Sequence, residues 1–259
     1  MKKTLYRAFV ELTGGPVISK IMKGFATSKV SKFIIPSFAK TFHINQSEME
    51  KELHEFETLH QFFIRGLKKD ARQIHTEENS LVSPVDGVLA HFGTITENNS
   101  FHVKGQDYSL DEMVGTKERA EKYKNGTYII LYLSPRHYHR IHSPVTGTVT
   151  DQKTYGKKSY PVNEAGLKYG VRPLSKNYRV VTEIDCKGKK VAVVKVGALN
   201  INTIETTHQT NELNKGDEVG YFSFGSTVVL LLEKGTCELL PNLKQNSEVT
   251  VGQKIGTLL

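Results

Sequence analysis

The sequence predicts an α+β protein: N-terminal amphipathic helices, then a β-rich catalytic domain with lipoyl-like β-sandwich or barrel elements. Three observations carry this. Apolar residues recur at helical spacing up to about residue 65. From residue 81, short β-prone runs alternate with glycine turns. Hydrophobic residues at 38% and charged residues at 24% make a globular mixture. A chain of 259 residues can form one large domain, or one core with an appendage. The expected division is residues 1–65 (helical) and 66–259 (β-rich).

Over 16–35, Val17, Ile18, Ile21, Met22 and Phe25 fall at helical spacing, punctuated by Lys20, Lys23, Lys29 and Lys32 and followed by Pro36. Such a basic amphipathic helix either lies in a lipid interface with its lysine stems snorkelling, or packs on the domain as an ordinary surface helix. A second helix is expected from Ser47, which has capping-box spacing to Glu50. Met49, Leu53, Phe56, Phe62 and Phe63 give it an apolar stripe that reads as core, and Gly66 is its natural stop.

Strands are expected at Val85 to Ala90, Tyr128 to Leu133, Gly147 to Thr150, Val180 to Ile184, Val191 to Val196, Ser226 to Leu232 and Val249 to Leu258. Ser83-Pro84-Val85-Asp86-Gly87-Val88 is echoed by Ser143-Pro144-Val145-Thr146-Gly147-Thr148, which predicts two related corners in one sheet system. The unit does not recur at a fixed period, so a solenoid is not expected. The ending Val251 to Leu258 has the pattern of a lipoyl-type strand.

Lysine plus arginine number 35 against 27 acids, a formal charge of +8. By itself that excess favours an anionic partner, whether nucleic acid, anionic lipid or an acidic metabolite, and equally describes a soluble protein with a positive surface; with the motifs below, nucleic acid is not expected among the partners. Cys186 and Cys237 have no metal spacing, so a reduced setting fits better than a disulfide framework. Lys2 and Lys3 begin the chain, but Arg7 and Glu11 interrupt any apolar run, so neither a signal peptide nor a spanning helix is expected there. The apolar run Val228 to Leu232 is far below the roughly 20 residues of a bilayer span. Membrane contact is therefore expected to be peripheral.

Three clusters can carry chemistry. Asp86 sits in an Asp-Gly turn pair, which by itself reads as structural. His137, His139 and His142 lie within six positions. An extended strand would put the first two on one face and His142 on the other, with no cysteine or carboxylate nearby, so no metal is expected. Phe224-Gly225-Ser226-Thr227 holds the only Gly-Ser pair; Val228 breaks the Gly-x-Ser-x-Gly pattern, so a nucleophile elbow is not supported. A serine, a histidine and an aspartate far apart in sequence are the ingredients for activating a hydroxyl. A serine hydrolase would use the same set. A non-catalytic β-sandwich carrier would need a lysine at a hairpin tip beside methionine, and Met1, Met22, Met49 and Met113 all lie outside the best hairpins.

Taken together, the Asp86-Gly87 turn, the run Tyr138-His139-Arg140-Ile141-His142-Ser143-Pro144 and Phe224-Gly225-Ser226-Thr227 resemble the three signatures of phosphatidylserine decarboxylases, in matching order and spacing. Gly197-Ala198 and Val103 to Leu110 are similar to two further segments of that family, and the resemblance spans about residues 50–258. Phe224 stands where the family usually has leucine; the Gly225-Ser226 pair is intact.

The resemblance implies a proenzyme that cuts itself between Gly225 and Ser226 into chains 1–225 and 226–259, Ser226 becoming a covalent pyruvoyl cofactor. It implies His142 as the base for Ser226, Asp86 as the carboxylate orienting His142, and His139 as a proton donor in decarboxylation. The implied substrate is phosphatidylserine in a membrane, approached peripherally from the cytoplasmic side, with the two chains remaining associated and a homodimer allowed. A pyruvoyl decarboxylase of a soluble amino acid is the nearest alternative. Arg136, Arg140 and Lys104 are candidate contacts for the head-group phosphate.

Overall fold

The structure is a computed structural model that describes residues 16–157, 160–162, 164–198, 204–223 and 226–259. The N-terminal region is helical in short pieces. A helix over Pro16–Thr27 passes into a 3₁₀ turn, Lys29–Ile34, and a second helix, Ile35–Thr41. Pro36 does not stop this run. It opens the second helix, at the position where the missing N–H costs nothing. The long helix expected from Ser47 does not form. That stretch is turns and a 3₁₀ segment, Leu53–Glu55, before a helix over Leu59–Phe63. The reciprocal capping box belongs to Glu52 and Glu55 rather than Ser47 and Glu50. The apolar stripe is nonetheless core: Met49, Phe56, Leu59 and Phe62 pack with Ile35, Ala39 and Ile44.

Sixteen strands follow among the described residues. They are β1 (Ser80–Val82), β2 (Gly87–Thr94), β3 (Ser100–Val103), β4 (Gln106–Ser109), β5 (Thr127–Leu133), β6 (Arg140–His142), β7 (Gly147–Tyr155) and β8 (Arg179–Cys186). Then come β9 (Lys189–Gly197), β10 (Ile204–Thr206), β11 (Glu212–Leu213), β12 (Glu218–Phe222), β13 (Ser226–Leu232), β14 (Cys237–Leu239), β15 (Glu248–Val249) and β16 (Lys254–Leu258). Eight of them form one antiparallel sheet in the order β11-β7-β8-β9-β13-β5-β2-β15, open at both edges. Two small sheets, β10-β12-β6 and β1-β16-β14, complete the sandwich.

The large sheet is covered on both faces. On one side, Leu131, Val193, Val228 and Leu230 pack against residues of the small sheets such as Ile141, Phe222 and Ile255. On the other, Ile130, Val194, Val229 and Leu231 pack against Phe101, Tyr108, Met113 and Tyr123. The latter residues come from the β3-β4 hairpin and the helical segments Leu110–Val114 and Lys117–Lys122 with their flanking turns. Double coverage explains why β13 reads Ser-Thr-Val-Val-Leu-Leu-Leu without alternation. The hairpin turns at Lys104 and Gly105, both with positive φ, as a tight two-residue turn requires.

The two Ser-Pro-Val corners are clasped to each other. Val82 N–H donates to Pro144 O (3.1 Å) and His142 N–H to Pro84 O (2.8 Å). In each corner the serine hydroxyl donates to the valine carbonyl, Ser83 to Val85 and Ser143 to Val145. Each corner also receives a glycine turn, Gly252 N–H on Ser83 O (3.0 Å) and Gly216 N–H on Ser143 O (2.9 Å). The turns match too: Asp217 caps Asn214 N–H and Gln253 caps Thr250 N–H.

Gly216 and Gly252 have φ of +92° and +81°, and both press on Ile74, which lies between them. A Cβ on Gly252 would come within 2.6 Å of Ile74 Cδ1 and 2.7 Å of Gln73 O. Gly252→Ala should therefore lose about 2–4 kcal/mol, from left-handed strain plus overpacking. Gly188→Ala, with φ +82° but open space around it, should lose only about 1–2 kcal/mol. Urea unfolding of the two variants checks the difference.

Candidate active site

The two clasped corners differ in one chemical respect. In the second, Thr146 Oγ1 accepts Lys215 N–H at 3.1 Å. In the first, Asp86 Oδ1 accepts Val251 N–H at 2.9 Å. A neutral hydroxyl suffices for that structural task, so the charge of Asp86 exceeds what the turn needs. The carboxylate is almost fully buried and held in a two-pronged pair by Arg72, Nε to Oδ1 at 2.8 Å and Nη2 to Oδ2 at 2.5 Å. Arg72 also reaches Glu48 at 3.0 Å.

His142 stands on the neighbouring strand, its backbone bonded to Pro84 two residues before Asp86. Its Nδ1 lies 2.7 Å from Gly216 O, and a carbonyl can only accept, so Nδ1 carries the proton. Nε2 is then a lone pair, which accepts from Tyr138 Oη at 3.3 Å. Burial lowers the imidazole's pKa, opposed by the Gly216 bond and by the charges of Glu218 and Asp86. The expected hydrogen bonds from Asp86 to His142 and from His142 to Ser226 are not formed, because Arg72 and Val251 hold the carboxylate and Gly216 and Tyr138 hold the ring. The charge of Asp86 raises the His142 pKa without a hydrogen bond between them.

His139 is fully buried beneath Phe63, with ring centroids 4.0 Å apart. Its Nδ1 donates to His137 O at 2.8 Å, which leaves Nε2 a bare lone pair with no partner. Burial, aided by the charge of Arg65, pushes its pKa well below 6.5. His137 has a different environment: Nδ1 accepts Ser134 N–H at 2.9 Å, so Nε2 donates to Glu248 at 2.9 Å. It sits in a turn rather than on a strand shared with His139. Among the described residues, no three His, Cys, Asp or Glu side chains converge as a metal would require.

Ser226 is the first residue of β13, fully buried, and its Oγ has no partner. It pairs with Leu133 on one side and Gly197 on the other. Gly87, next to Asp86, lies across β5 in the same row, where a Cβ would come within 2.7 Å of Tyr132 O and 3.8 Å of Leu133. His139 also reaches this end of the sheet, since its carbonyl accepts Phe222 N–H at 3.0 Å, four residues before Ser226. Phe224 and Gly225 lie outside the described residues.

Arg65, Arg72, Asp86, Arg136, His137 and Tyr138 help line a cavity of about 250 Å³. Arg140 is tied to Glu218 at 2.8 Å and Arg136 to Glu248. Sequence reading missed Arg72, Arg65 and Phe63 as site residues. No local signal marks them, because they meet Asp86 and His139 only through the fold; Tyr138, one helical turn's spacing before His142, was at least inside the motif.

A buried serine, two buried histidines and a buried carboxylate in one β-rich fold make a candidate catalytic site, and the comparisons with known proteins place the chain among decarboxylases of the proenzyme kind. The pattern of the phosphatidylserine decarboxylase family matches residues 59–257, and the chain belongs to that family. It is 53% identical over 259 residues to proteins named phosphatidylserine decarboxylase proenzyme from Bacillus cereus (strain ATCC 10987 / NRS 248) and Bacillus thuringiensis (strain Al Hakam), covering 100% of this chain and 99% of each relative.

The buried histidines make stability depend on pH. An unfolded histidine takes a proton near 6.5, whereas His139, His142 and His137 in the fold resist it. The unfolded state therefore binds more protons as pH falls. The free energy of unfolding should hold above about pH 6.5 and decline toward pH 5. Titrating unfolding against pH checks this, and His139→Gln should flatten part of the slope.

Proposed function

We propose that the chain cuts itself between Gly225 and Ser226, and that the matured protein converts phosphatidylserine to phosphatidylethanolamine and carbon dioxide, a step of phospholipid synthesis. The observation that carries the reading is Ser226. Its hydroxyl is dry and unpartnered at the head of the central strand, directly after a glycine that offers an unhindered carbonyl.

Ser226 Oγ attacks the carbonyl carbon of Gly225, and the bond from that carbon to the nitrogen of residue 226 breaks to leave an ester; β-elimination then releases the Gly225 carboxylate and leaves a dehydroalanine, which water hydrolyses to ammonia and the pyruvoyl group. His142 takes the hydroxyl proton: its Nε2 is already a lone pair, and among the described residues Tyr138 is the one group it must exchange for Ser226. Asp86 stabilises the resulting imidazolium by its charge, the division of roles found in hydrolase triads. The position suits a pyruvoyl group, since the residue that would carry it begins a strand held on both sides, by β5 and by β9. Bound there, a pyruvoyl group supplies the electron sink that decarboxylation needs. His139 Nε2, bare and held by His137 O and Phe63, is the site that takes up a proton and passes it to the substrate carbon.

Chains 1–225 and 226–259 stay together on this reading. The second supplies four strands rather than a single strand pair: β13 between β9 and β5, β15 at the sheet edge, and β14 and β16, with β16 also paired to β1 of the first chain. The region 1–65 acts in membrane approach. Ile21, Met22, Phe25, Val30 and Phe33 are exposed, Phe33 at 85%, among exposed Lys20, Lys23, Lys29 and Lys32. No helix among the described residues is long and apolar enough to cross a membrane. An apolar ridge flanked by lysines suits peripheral docking on an anionic cytoplasmic leaflet, each lysine contributing roughly 1 kcal/mol.

Ser226→Ala should run as one band on a denaturing gel, where the unmutated protein gives two and reacts with carbonyl reagents; two bands from the variant would overturn the reading. Activity on phosphatidylserine vesicles against free amino acids separates the lipid enzyme from a soluble one. Phe33→Glu should leave cleavage intact and weaken sedimentation with anionic vesicles by about tenfold; unchanged sedimentation would remove this face from the docking surface.

A further inference from the structure

Lys195 is the one lysine whose whole residue is buried among the described residues, at 0% exposure, and its Nζ has no hydrogen-bond partner. It lies in β9 opposite Val228 of β13, and the two strands run in strict register from Ser226↔Gly197 to Leu232↔Val191. Alternation places Lys195 with Val191 and Val193, on the face where Val228 and Leu230 point. Ser226, two residues before Val228, points to that same face. Its direct partner, Gly197, has no side chain. The first side chain of β9 that can meet Ser226 on this face is therefore Lys195, at the diagonal separation that long side chains span.

A buried ammonium with no carboxylate is a costly feature in an otherwise apolar core. The ordinary structural uses of lysine do not account for it: it forms no ion pair and does not reach solvent. The polar groups around it are few. Ser226 is the diagonal neighbour on one side, and Tyr178, whose carbonyl accepts Gly197 N–H, precedes the strand that pairs with β9 on the other. Desolvation alone lowers the amine from 10.5 to about 8, with no acid acting on it. It is thus a proton-exchanging group near neutral pH, where an exposed lysine is not.

We propose that Lys195 is the proton donor to the departing nitrogen of residue 226 during self-cleavage. This rests on the reading of Ser226 given above and adds a residue to it. As Ser226 Oγ bonds to the carbonyl carbon of Gly225, its proton passes to His142. The Gly225 carbon–nitrogen bond breaks, its electron pair stays on the nitrogen of residue 226, and Lys195 supplies one proton there. The products are an ester at Oγ, a free amine on residue 226, a protonated His142 and a neutral Lys195.

The test follows cleavage of freshly translated full-length chain on a denaturing gel, from pH 6 to 9.5, with thermal unfolding of the same proteins. Lys195→Met keeps the length and removes the amine. It should slow cleavage by about a hundredfold without lowering the melting temperature, because an apolar side chain replaces an uncompensated cation. Unmutated chain should cleave more slowly as pH rises through about 8, and the variant should lose that limb. Cleavage of Lys195→Met at the unmutated rate overturns the proposal. So does slow cleavage accompanied by a lower melting temperature, which assigns the lysine to packing. If unmutated chain does not cleave at any pH, the reading of Ser226 itself falls.

Discussion

Everything in this molecule is arranged to keep β13 dry. All seven of its residues are buried, with apolar layers on both faces and strands on both edges. A strand in that position can be neither exposed nor replaced without dissolving two cores at once. The scissile bond proposed here lies immediately before it, so the chemistry and the centre of the fold share one residue. A break in the backbone there would leave a new end that begins a strand already fixed by ladder bonds to β5 and β9.

The clasp between the Ser83 and Ser143 corners sets the second constraint. It brings residues 86 and 142 near one another through backbone bonds, independent of any side-chain chemistry. Within that frame the two copies have diverged. Thr146 caps its turn with a hydroxyl, and Asp86 caps the matching turn with a charge. A buried charge must be balanced, and Arg72 does so from a segment that also carries Ile74 onto the two turn glycines. The carboxylate, its guanidinium partner and the pseudo-symmetric turns thus form one unit.

Desolvation is the common electrostatic theme. It lowers the pKa of His139 and His142 and holds both rings neutral, with the Nε2 of each a lone pair fixed by a carbonyl bond at Nδ1. The same effect lowers Lys195. Burial thus keeps the two imidazoles as neutral proton acceptors, and it brings the lysine amine, fully charged in water, closer to neutrality as a proton donor.

The sequence by itself determined the class, most of the large-sheet strands and the repeated corners, and it singled out Asp86, His139, His142 and Ser226 as candidates, because each is written in a local pattern: alternation, turn residues, or a short motif. It misjudged the stretch after Ser47, where helical spacing of apolar residues reflects packing on three sides of a compact turn rather than one helix. It gave no sign of the helices at Leu110–Val114 and Lys117–Lys122, too short for periodicity to show. Only the tertiary structure decided that Arg72 holds Asp86, that Tyr138 and Gly216 hold His142, and that Lys195 faces the core beside Ser226. Those pairings join residues far apart in the chain, and register, burial and the loss of water that set them exist only once the layers have packed.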